Sequence, residues 1–372
     1  MKIIQLITRS DTIGGAQAHV HLLCQQLLRE HYRVRVLAGG DGIFHDLLKD
    51  EGISCSSINN LKRNFSIISD LKAILEIREV LKKKRPEVLA IHSAKSGLVG
   101  RLAALNLGVQ IVYTVHGWSH IRNASWFVGF VYSLLDRLLS FCTNEIICVS
   151  ESDLDFAHNV VKINPKKTNL VYNGCESVAQ LDKVRSNLGS DFRFVCVTRF
   201  QAPKDNLTLI KALADVNANA TEKKAYVDFY GDGEDLGVAK ELVRVLGIEK
   251  FVTFKGFSNN VKNLYGSYDC LILSSLSEGL PMSIIEAMAS KLPVIASDVG
   301  GISELVSSYR NGVVFEAKNV PQLSEAICYM MNLSNEDLQI FRQNSLDIYN
   351  RKFTALDMYL NTKKVYYKRD KC

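Results

Sequence analysis

Short apolar runs alternate with segments of helical periodicity along almost the whole chain, and this alternation restricts the possible folds more than any other feature. The first series of predicted buried strands comprises residues 3–7, 34–37, 88–91, 111–115, 146–149 and 170–172. The second series comprises residues 192–197, 226–230, 252–254, 271–273, 294–295 and 313–315. Alternating strands and helices predict parallel sheets with helices on both faces. Two such series predict an α/β protein with two doubly wound domains.

The length of the chain also favours two domains, because 372 residues exceed the size at which a single hydrophobic core usually stops growing. We expect an N-terminal Rossmann-like domain over residues 1–175 and a C-terminal Rossmann-like domain over residues 176–352. The polar, weakly periodic residues 176–191 are predicted to form a linker with a short helix. Helical segments follow residue 320, and the last of them forms a tail from residue 353.

Charge and cysteine content restrict the partners and the compartment. The formal net charge of +6 is modest; it suits a phosphate-bearing substrate or an anionic membrane surface, and we expect no nucleic-acid partner. Nine cysteines without a C-x-x-C pair argue against a disulfide framework or a zinc ribbon, and they favour a reducing compartment such as the cytoplasm. No apolar run reaches the roughly 18 residues needed to span a bilayer.

The most informative stretch, residues 277–289, follows a short apolar run that is predicted as a buried strand. Gly279 lies in the strand-to-helix turn, where a glycine lets the backbone approach a ligand closely. Pro281 suits the first position of the helix, and the free N–H groups of that turn favour an anion. One carboxylate, Glu278, lies in the turn, and a second, Glu286, lies on the flank of the helix. An ordinary turn with two solvated glutamates is the alternative.

Two glutamates separated by seven residues, within Ser-Glu-Gly-Leu-Pro and Glu-Ala-Met-Ala, closely resemble the signature of the retaining glycosyltransferases of family 4. The resemblance implies the GT-B fold, in which two doubly wound Rossmann-like domains face a central cleft, with the tail, residues 353–372, packing back on the first domain. It also implies transfer of a hexosyl or N-acetylhexosaminyl group from a nucleotide sugar, with UDP as the expected nucleotide and retention at the anomeric carbon.

Two cations in the second domain suit a diphosphate leaving group. Arg199 ends a predicted strand, and Lys204 stands near the start of the next helix. Negative charge accumulates on the diphosphate as the glycosidic bond breaks, so two fixed cations stabilise the transition state more than the ground state. The pair resembles the phosphate-binding arginine and lysine of the family, with ordinary surface charge as the alternative. No metal cofactor is expected, because these cations and helix N–H groups replace it.

Three side chains are expected to act on the sugar and the ribose. Glu286 suits the ribose, because a carboxylate accepts hydrogen bonds from both hydroxyls of a cis-diol. Glu278 is implied by the family to contact the transferred sugar, either as a nucleophile or as a positioning acceptor. His116 is expected to contact the sugar or to stabilise the developing oxocarbenium ion through its carbonyl group. A locally hydrogen-bonded histidine at a strand end is the alternative for His116.

The other candidates for nucleotide-sugar binding share one property. Each follows the carboxyl end of a predicted strand, which is the edge where open α/β sheets bind ligands. These candidates are Gly15, Asn173, Gly231, Gly279 and Leu280. Gly15 belongs to a Gly-Gly pair that the family also carries, usually with a glutamate two residues further on. That position is Gln17 here, which puts a charged role there in doubt.

The first domain usually holds the acceptor in this family. We therefore expect His92, Lys95 and Trp118 to contact a glycan or a polyprenyl-pyrophosphate-linked acceptor, with Lys95 at the pyrophosphate and Trp118 stacked on a sugar. Asp153 and Asp155 spell the metal-binding D-x-D pattern of other glycosyltransferases. They fall at a predicted helix start, and carboxylates two residues apart do not share a helix face, so we interpret them as capping residues.

Peripheral contact with the inner face of the membrane is a further expectation. Residues 126–135 are apolar and helical in pattern, which suits insertion into the lipid interface. Residues 363–371 of the tail interleave basic and aromatic side chains, which suits an anionic surface. A core helix and a solvated tail are the respective alternatives.

Two other functions are compatible with the same pattern. A UDP-sugar 2-epimerase of the same fold would need additional acid–base groups at C2 of the sugar, and the sequence marks none. A non-catalytic sugar-nucleotide-binding module is disfavoured because Glu278, Arg199 and Lys204 are all present. The sequence therefore favours a glycosyltransferase of cell-surface polysaccharide synthesis.

Overall fold

The computed structural model describes residues 1–177, 191–258 and 261–368. The chain divides into two compact units, one formed by Met1–Gly174 and Ala355–Cys372 and the other by Cys175–Thr354. Each unit contains one parallel sheet surrounded by helices. The short helix predicted within residues 176–191 falls mainly on residues 178–190, which lie outside the described residues.

The sheet of the first unit has seven strands in the order β3-β2-β1-β4-β5-β6-β7. Its strands are β1 (Lys2–Ile7), β2 (Arg33–Gly39), β3 (Cys55–Ile58), β4 (Val88–His92), β5 (Gln110–Val115), β6 (Glu145–Cys148) and β7 (Thr168–Leu170). All neighbouring strands run parallel. The strand order reverses direction between β1 and β4, so the ligand-binding crevice of this sheet is expected where those two strands end.

Helices cover both faces of this sheet. They are α1 (Gly15–Arg29), α2 (Ile43–Asp50), α3 (Ile67–Lys84), α4 (Ala94–Ala103), α5 (Ser119–Arg122), α6 (Trp126–Ser140) and α7 (Glu151–Phe156), which continues into a π-helical turn at Ala157–Val161. Successive side chains of a strand point to opposite faces. In β1, Ile3 and Ile7 therefore pack against α1 and α2, whereas Ile4 and Leu6 pack against α3 and α4.

The second unit repeats this plan with six strands in the order β10-β9-β8-β11-β12-β13. Its strands are β8 (Asp191–Val197), β9 (Lys224–Tyr230), β10 (Val252–Gly256), β11 (Cys270–Leu273), β12 (Val294–Ser297) and β13 (Gly312–Phe315). All neighbouring strands again run parallel. Here the order reverses between β8 and β11, the two strands that precede the predicted phosphate and sugar residues.

The helices of the second unit are α8 (Asn206–Asn219), α9 (Leu236–Val245), α10 (Met282–Ala289), α11 (Ile302–Leu305), α12 (Val320–Asn332) and α13 (Asn335–Lys352). Apolar residues of α8, α9 and α12 share one core with β8 and β9. Asp205 caps α8, because its side chain accepts a hydrogen bond from the backbone N–H of Thr208 at 3.3 Å. This cap fixes the start of the helix next to Lys204.

A last helix, α14 (Ala355–Tyr366), belongs to the first unit. Met358, Tyr359 and Tyr366 are buried in the same core as α1. The basic residues of the described tail are engaged within the unit: Lys363 pairs with Glu30, and other basic side chains bond to neighbouring polar groups. The tail prediction for residues 369–371 lies outside the described residues. Among the described residues, no helix combines the length and the hydrophobicity that a bilayer crossing requires.

Two details differ from the sequence-based expectations. The edge strand β3 (Cys55–Ile58) was not expected, because its two central residues are serines and only Ile58 is buried. Strand β7 ends at Leu170, whereas the pattern predicted a strand at residues 170–172.

Candidate active site

Two loops meet at the carboxyl edge of the second sheet, where the strand order reverses. The loop after β8 carries Arg199 and Lys204, and the loop after β11 carries Glu278. Backbone bonds join the loops: Leu276 N–H donates to the carbonyl of Pro203 at 2.8 Å, and Asp205 N–H donates to the carbonyl of Ser274 at 3.0 Å. These backbone hydrogen bonds hold the two loops next to each other without a ligand.

The side chains of Lys204 and Glu278 form an ion pair in which the ammonium group donates to Oε1 of the carboxylate. The hydroxyl of Ser275 donates to the same oxygen at 2.7 Å. Each charged side chain is only 13% exposed, so water screens this pair weakly. Ser275 is itself fixed by Ser297, whose hydroxyl donates to the Ser275 carbonyl at 2.7 Å. No motif or spacing in the sequence marks Ser275 as part of the site.

Arg199 lies at the end of β8 with an exposed side chain. Its carbonyl oxygen accepts a hydrogen bond from Nδ2 of Asn206 at 3.2 Å, which ties the strand end to the first residue of α8. Exposure leaves the guanidinium accessible to a bound anion, while the backbone around it is held in place.

A second glycine turn supports the one that carries Glu278. Gly300 has φ +59°, and a Cβ atom there would clash with the carbonyl oxygen of Glu278. Gly301 N–H donates to the carbonyl of Gly279 at 2.9 Å. Leu280, next in the turn, is buried. The Gly-Gly pair after the predicted strand at residues 294–295 was the signal that could have identified this contact.

Glu286 lies on α10, one turn below the helix start, and is half-buried. Burial raises the pKa of its carboxyl group to about 7, and the charge of Lys262 partly opposes that effect. Near neutral pH the group is therefore divided between its neutral and its charged form. Lys262, in the 3₁₀ segment Val261–Ser267, was not identified from the sequence.

Gly231 is required for close packing. Its φ is +141°, and a Cβ atom would clash with the carbonyl oxygen of Thr198 at the end of β8. Its own N–H donates to the carbonyl of Gly256 at 2.9 Å, so that donor is already used within the sheet edge. Gly233 approaches the backbone of Phe200 in the same way. These glycines therefore shape the loop after β8.

In the first unit, three histidines meet at the carboxyl edge where the strand order reverses. His19 lies on α1, His92 ends β4, and His116 follows β5. Nδ1 of His92 lies 3.1 Å from Nε2 of His116, and Nδ1 of His19 lies 3.0 Å from Oδ1 of Asn173. The alternative for His116, a local hydrogen bond at a strand end, is thus observed, although the side chain keeps partial exposure. His19 was not identified from the sequence.

Gly15 is the first residue of α1, and Gly14 occupies the preceding cap position. Gln17 accepts a hydrogen bond from the N–H of Gly14 at 3.2 Å and donates to the carbonyl of Arg9 at 3.1 Å. The residue that replaces the family's glutamate therefore holds the glycine turn in shape.

Several acceptor predictions need correction. Trp118 is fully buried and donates its ring N–H to the carbonyl of Asp153 at 2.9 Å, so its ring cannot stack on a sugar. Lys95 forms an ion pair with Asp70 and lies over the ring of Phe65, and its contact with a pyrophosphate stays a prediction. His92 is also fully buried; it contacts the other histidines and has no open surface for an acceptor.

The D-x-D sequence is part of a helix start. Ser150 caps α7 by accepting a hydrogen bond from the N–H of Asp153 at 3.0 Å. The carboxylate of Asp153 is buried 3.3 Å from the guanidinium of Arg122. A buried carboxylate with its own cation is a structural ion pair.

Two protein-family models match the chain, one on each unit. The model described as Glycosyltransferase Family 4 matches residues 13–177, and the model described as Glycosyl transferases group 1 matches residues 179–346. The chain is a glycosyltransferase, and its first unit matches the family 4 model. The family and the enzyme class that the sequence suggested are therefore confirmed.

Two glycosyltransferases of Escherichia coli are similar to this glycosyltransferase over most of its length. UDP-Gal:alpha-D-GlcNAc-diphosphoundecaprenol alpha-1,3-galactosyltransferase of Escherichia coli is 26% identical over 351 residues, which cover 90% of each chain. The O-antigen biosynthesis glycosyltransferase WbnH of Escherichia coli is 29% identical over 349 residues, covering 93% of this chain and 94% of its own.

A solved structure, HepE from Anabaena in complex with UDP and glucose, matches with a TM-score of 0.83 and 22% identity. The match covers 99% of this glycosyltransferase and 100% of HepE. At this identity the similarity concerns the fold, and it confirms the GT-B class predicted from the sequence, with two doubly wound Rossmann-like domains.

Proposed function

We propose that this glycosyltransferase moves a sugar from a UDP-linked donor to a lipid-linked glycan acceptor, with retention of configuration at the anomeric carbon. The observation that carries the proposal is the contact of Lys204, Glu278 and Ser275 at the point where the second sheet reverses its strand order. The named relatives support the setting: one is named for UDP-Gal and a diphosphoundecaprenol acceptor, and another for O-antigen biosynthesis. We therefore place the reaction in bacterial surface-polysaccharide synthesis.

Lys204 and Arg199 act on the leaving group. The bond between the anomeric carbon and the diphosphate oxygen breaks, the acceptor oxygen bonds to that carbon, and the acceptor proton passes to the departing diphosphate. Charge on the diphosphate is greatest in the transition state, where fixed cations are most effective. Because Lys204 already faces a carboxylate, the site holds its ammonium group in place before the donor arrives. No metal ion is assigned to the diphosphate.

Glu278 acts as a positioning acceptor for the transferred sugar. Its Oε1 receives hydrogen bonds from both Lys204 and Ser275, and such bonds reduce the nucleophilicity of a carboxylate. We assign Oε2 to a hydroxyl group of the sugar. Glu286 accepts hydrogen bonds from the ribose hydroxyls in its charged form, and the backbone of Gly279 and Leu280 borders the phosphates.

In the first unit, His116 is assigned to the sugar, because it is the member of the histidine group with partial exposure. Asn173 acts indirectly: its side chain is buried and holds the ring of His19. Gly15 offers the first backbone position of α1, and its small size leaves the helix start open to a ligand.

A donor and acceptor screen tests the proposal. The full chain is incubated with UDP-galactose, UDP-glucose or UDP-N-acetylglucosamine and a synthetic N-acetylglucosaminyl-diphospho-lipid, and the product linkage is determined by NMR. We expect a product whose new bond has the anomeric configuration of the donor, formed at a rate that falls sharply in Lys204→Ala. A product with inverted configuration at the anomeric carbon refutes retention. Formation of the C2 epimer of a UDP-sugar without acceptor indicates an epimerase.

We also propose that the first unit binds an anionic membrane surface through α6. Trp126 is 84% exposed, Phe127 66% and Phe130 58%, and the helix exposes further large apolar side chains along its length. This apolar helix buries only Gly129, Asp136, Leu139 and Ser140. Large exposed apolar patches usually mark interaction surfaces, so we interpret the exposed face of α6 as one. A lipid-linked acceptor would be reached at such a surface.

Basic residues next to α6 favour an anionic bilayer as the occupant. Arg137 is exposed on the helix itself, and Lys162 is exposed directly after the π-helical turn that packs against it. The proposal is tested by sedimentation with vesicles of neutral lipid alone or mixed with phosphatidylglycerol. A Trp126→Ala, Phe130→Ala variant should lose most binding, whereas Tyr309→Ala, which removes an exposed aromatic ring in the second unit, should bind like the unmodified protein. Equal sedimentation of all three proteins refutes a role for α6.

A further inference from the structure

Three imidazole rings cluster where the first sheet reverses its strand order. The ring centroids of His19 and His116 are 4.8 Å apart, those of His92 and His116 5.4 Å, and those of His19 and His92 5.5 Å. One nitrogen from each ring can be chosen so that all three lie within 4.8 Å of one another. Each ring comes from a different element, so the fold itself assembles the group.

The hydrogen bonds of His92 determine which of its nitrogens carries the proton. Nε2 of His92 lies 2.7 Å from Oε1 of Gln5, and Nε2 of Gln5 donates to the hydroxyl of Tyr366 at 3.2 Å. With the amide nitrogen of Gln5 on Tyr366, Oε1 of Gln5 faces His92 as an acceptor, and His92 donates from Nε2. Its Nδ1 therefore carries a lone pair, and that lone pair faces His116.

The same reasoning applies to His19. Its Nδ1 donates to Oδ1 of Asn173 at 3.0 Å, so Nε2 carries the lone pair. The ring is 1% exposed, and Nε2 is a buried polar atom without a hydrogen-bond partner among the described residues. Buried polar atoms in native proteins usually have a partner, so the unpaired lone pair of His19 beside two other imidazoles indicates a position that a cation can occupy.

The side-chain amides of Asn173 and Gln5 accept hydrogen bonds from His19 and His92, as the partners of metal-ligating histidines do. A metal-ligating histidine usually donates its other ring N–H to a carbonyl or carboxylate oxygen, which fixes the tautomer and the ring orientation. Asn173 and Gln5 perform this function for His19 and His92. Burial also lowers the pKa of His19 to about 4 and the pKa values of His92 and His116 well below their usual value, so all three rings are neutral at pH 7.

We propose that His19, His92 and His116 bind a divalent transition-metal ion, with zinc as the expected ion. Imidazole nitrogens suit zinc, and three of them with a fourth open position form a recognised type of zinc site. At Zn–N distances of about 2.0–2.1 Å, tetrahedral ligand atoms lie about 3.4 Å apart. The 3.1 Å separation of Nδ1 of His92 and Nε2 of His116 is already close to that value, and ligand atoms within 4.8 Å of one another have to approach by at most about 1.4 Å.

Binding requires one proton to move. Without an ion, Nε2–H of His116 donates to Nδ1 of His92; with the ion, His116 carries its proton on Nδ1 and turns the Nε2 lone pair to the metal. The fourth position lies toward the exposed side of His116, where water or an oxygen ligand can enter. The site shares His116 with the function proposed above, but it is tested by metal binding and that function by turnover, so the two proposals can fail separately.

The test is metal binding by the full chain after treatment with EDTA and desalting. Calorimetric titration with Zn²⁺ should give one site per chain, and Co²⁺ should produce the visible absorption of a tetrahedral nitrogen site without the near-ultraviolet band of a cobalt–thiolate bond. His116→Gln and His19→Gln should each abolish the site. Asn173→Ala, which removes the hydrogen-bond acceptor of the His19 ring N–H, should weaken binding by about 10–100-fold.

The matched control is His158→Gln, since His158 lies in the same unit and bonds to the hydroxyl of Thr168 at 2.8 Å, outside the group. It should keep the full affinity. Because His116 is only partly buried, its variant should fold even if the buried His19→Gln variant does not, and circular dichroism checks this. Unchanged zinc binding in His116→Gln, no binding by the unmodified chain, or a cobalt–thiolate band each overturns the proposal.

Discussion

The raised pKa of Glu286 predicts a specific pH dependence of donor binding. At a pKa of about 7 the carboxyl group is about one-eleventh charged at pH 6 and about ten-elevenths charged at pH 8. Two ribose hydroxyls donating to the charged form, at about 1.5–3 kcal/mol each, would lower the pKa of the bound carboxyl to about 5 or below. The bound state then selects the charged form. We expect UDP-sugar affinity to be about tenfold weaker at pH 6 than at pH 8.

The Glu286→Gln variant separates this effect from other titrating groups. Glutamine has a similar shape and cannot ionise, so its affinity should be weaker at pH 8 and nearly independent of pH. Calorimetric titration with a UDP-sugar at pH 6, 7 and 8 measures both proteins. A UDP-sugar is preferred to UDP, because UDP has a terminal phosphate that titrates in the same range. Parallel pH profiles for the two proteins would show that Glu286 does not accept hydrogen bonds from the donor.

Four further outcomes are expected. Lys204→Ala should lower kcat by about 10²–10³ with a smaller effect on the donor KM. The double variant with Arg199→Ala should lose less than the product of the two single losses, because both cations stabilise the same negative charge. A fall in kcat of less than about threefold in Lys204→Ala, or roughly 0.7 kcal/mol, would remove Lys204 from the site. Glu278→Gln should lower kcat with little change in UDP affinity by calorimetry, so a large loss of affinity would contradict its assignment to the sugar. UDP affinity should be equal in EDTA and in magnesium, and a requirement for magnesium would refute the electrostatic assignment. Since the folded pKa of Glu286 lies above the unfolded value of about 4.5, the free energy of unfolding should fall between pH 4.5 and pH 7; urea denaturation should show a smaller fall in Glu286→Gln.

The sequence determined the fold class and the sheet edge at which Lys204 and Glu278 lie. Apolar runs of strand length that alternate with helical periodicity can bury their surfaces only as parallel sheets with helices on both faces, so the two doubly wound units followed directly. Residues that follow a parallel strand must lie at the same sheet edge, and this placed Lys204 and Glu278 near each other although 74 positions separate them. Local pattern and strand polarity sufficed for that inference.

Only the tertiary structure decided what each polar side chain contacts. Trp118 follows a strand as Glu278 does, but its ring is buried against α7, where the carbonyl of Asp153 accepts its N–H. The histidine group is the opposite case: His19 looked like an ordinary helix residue, and no spacing links it to His92 and His116. Periodicity reports which face a residue occupies, whereas distance, burial and hydrogen-bond partners depend on how distant segments pack together.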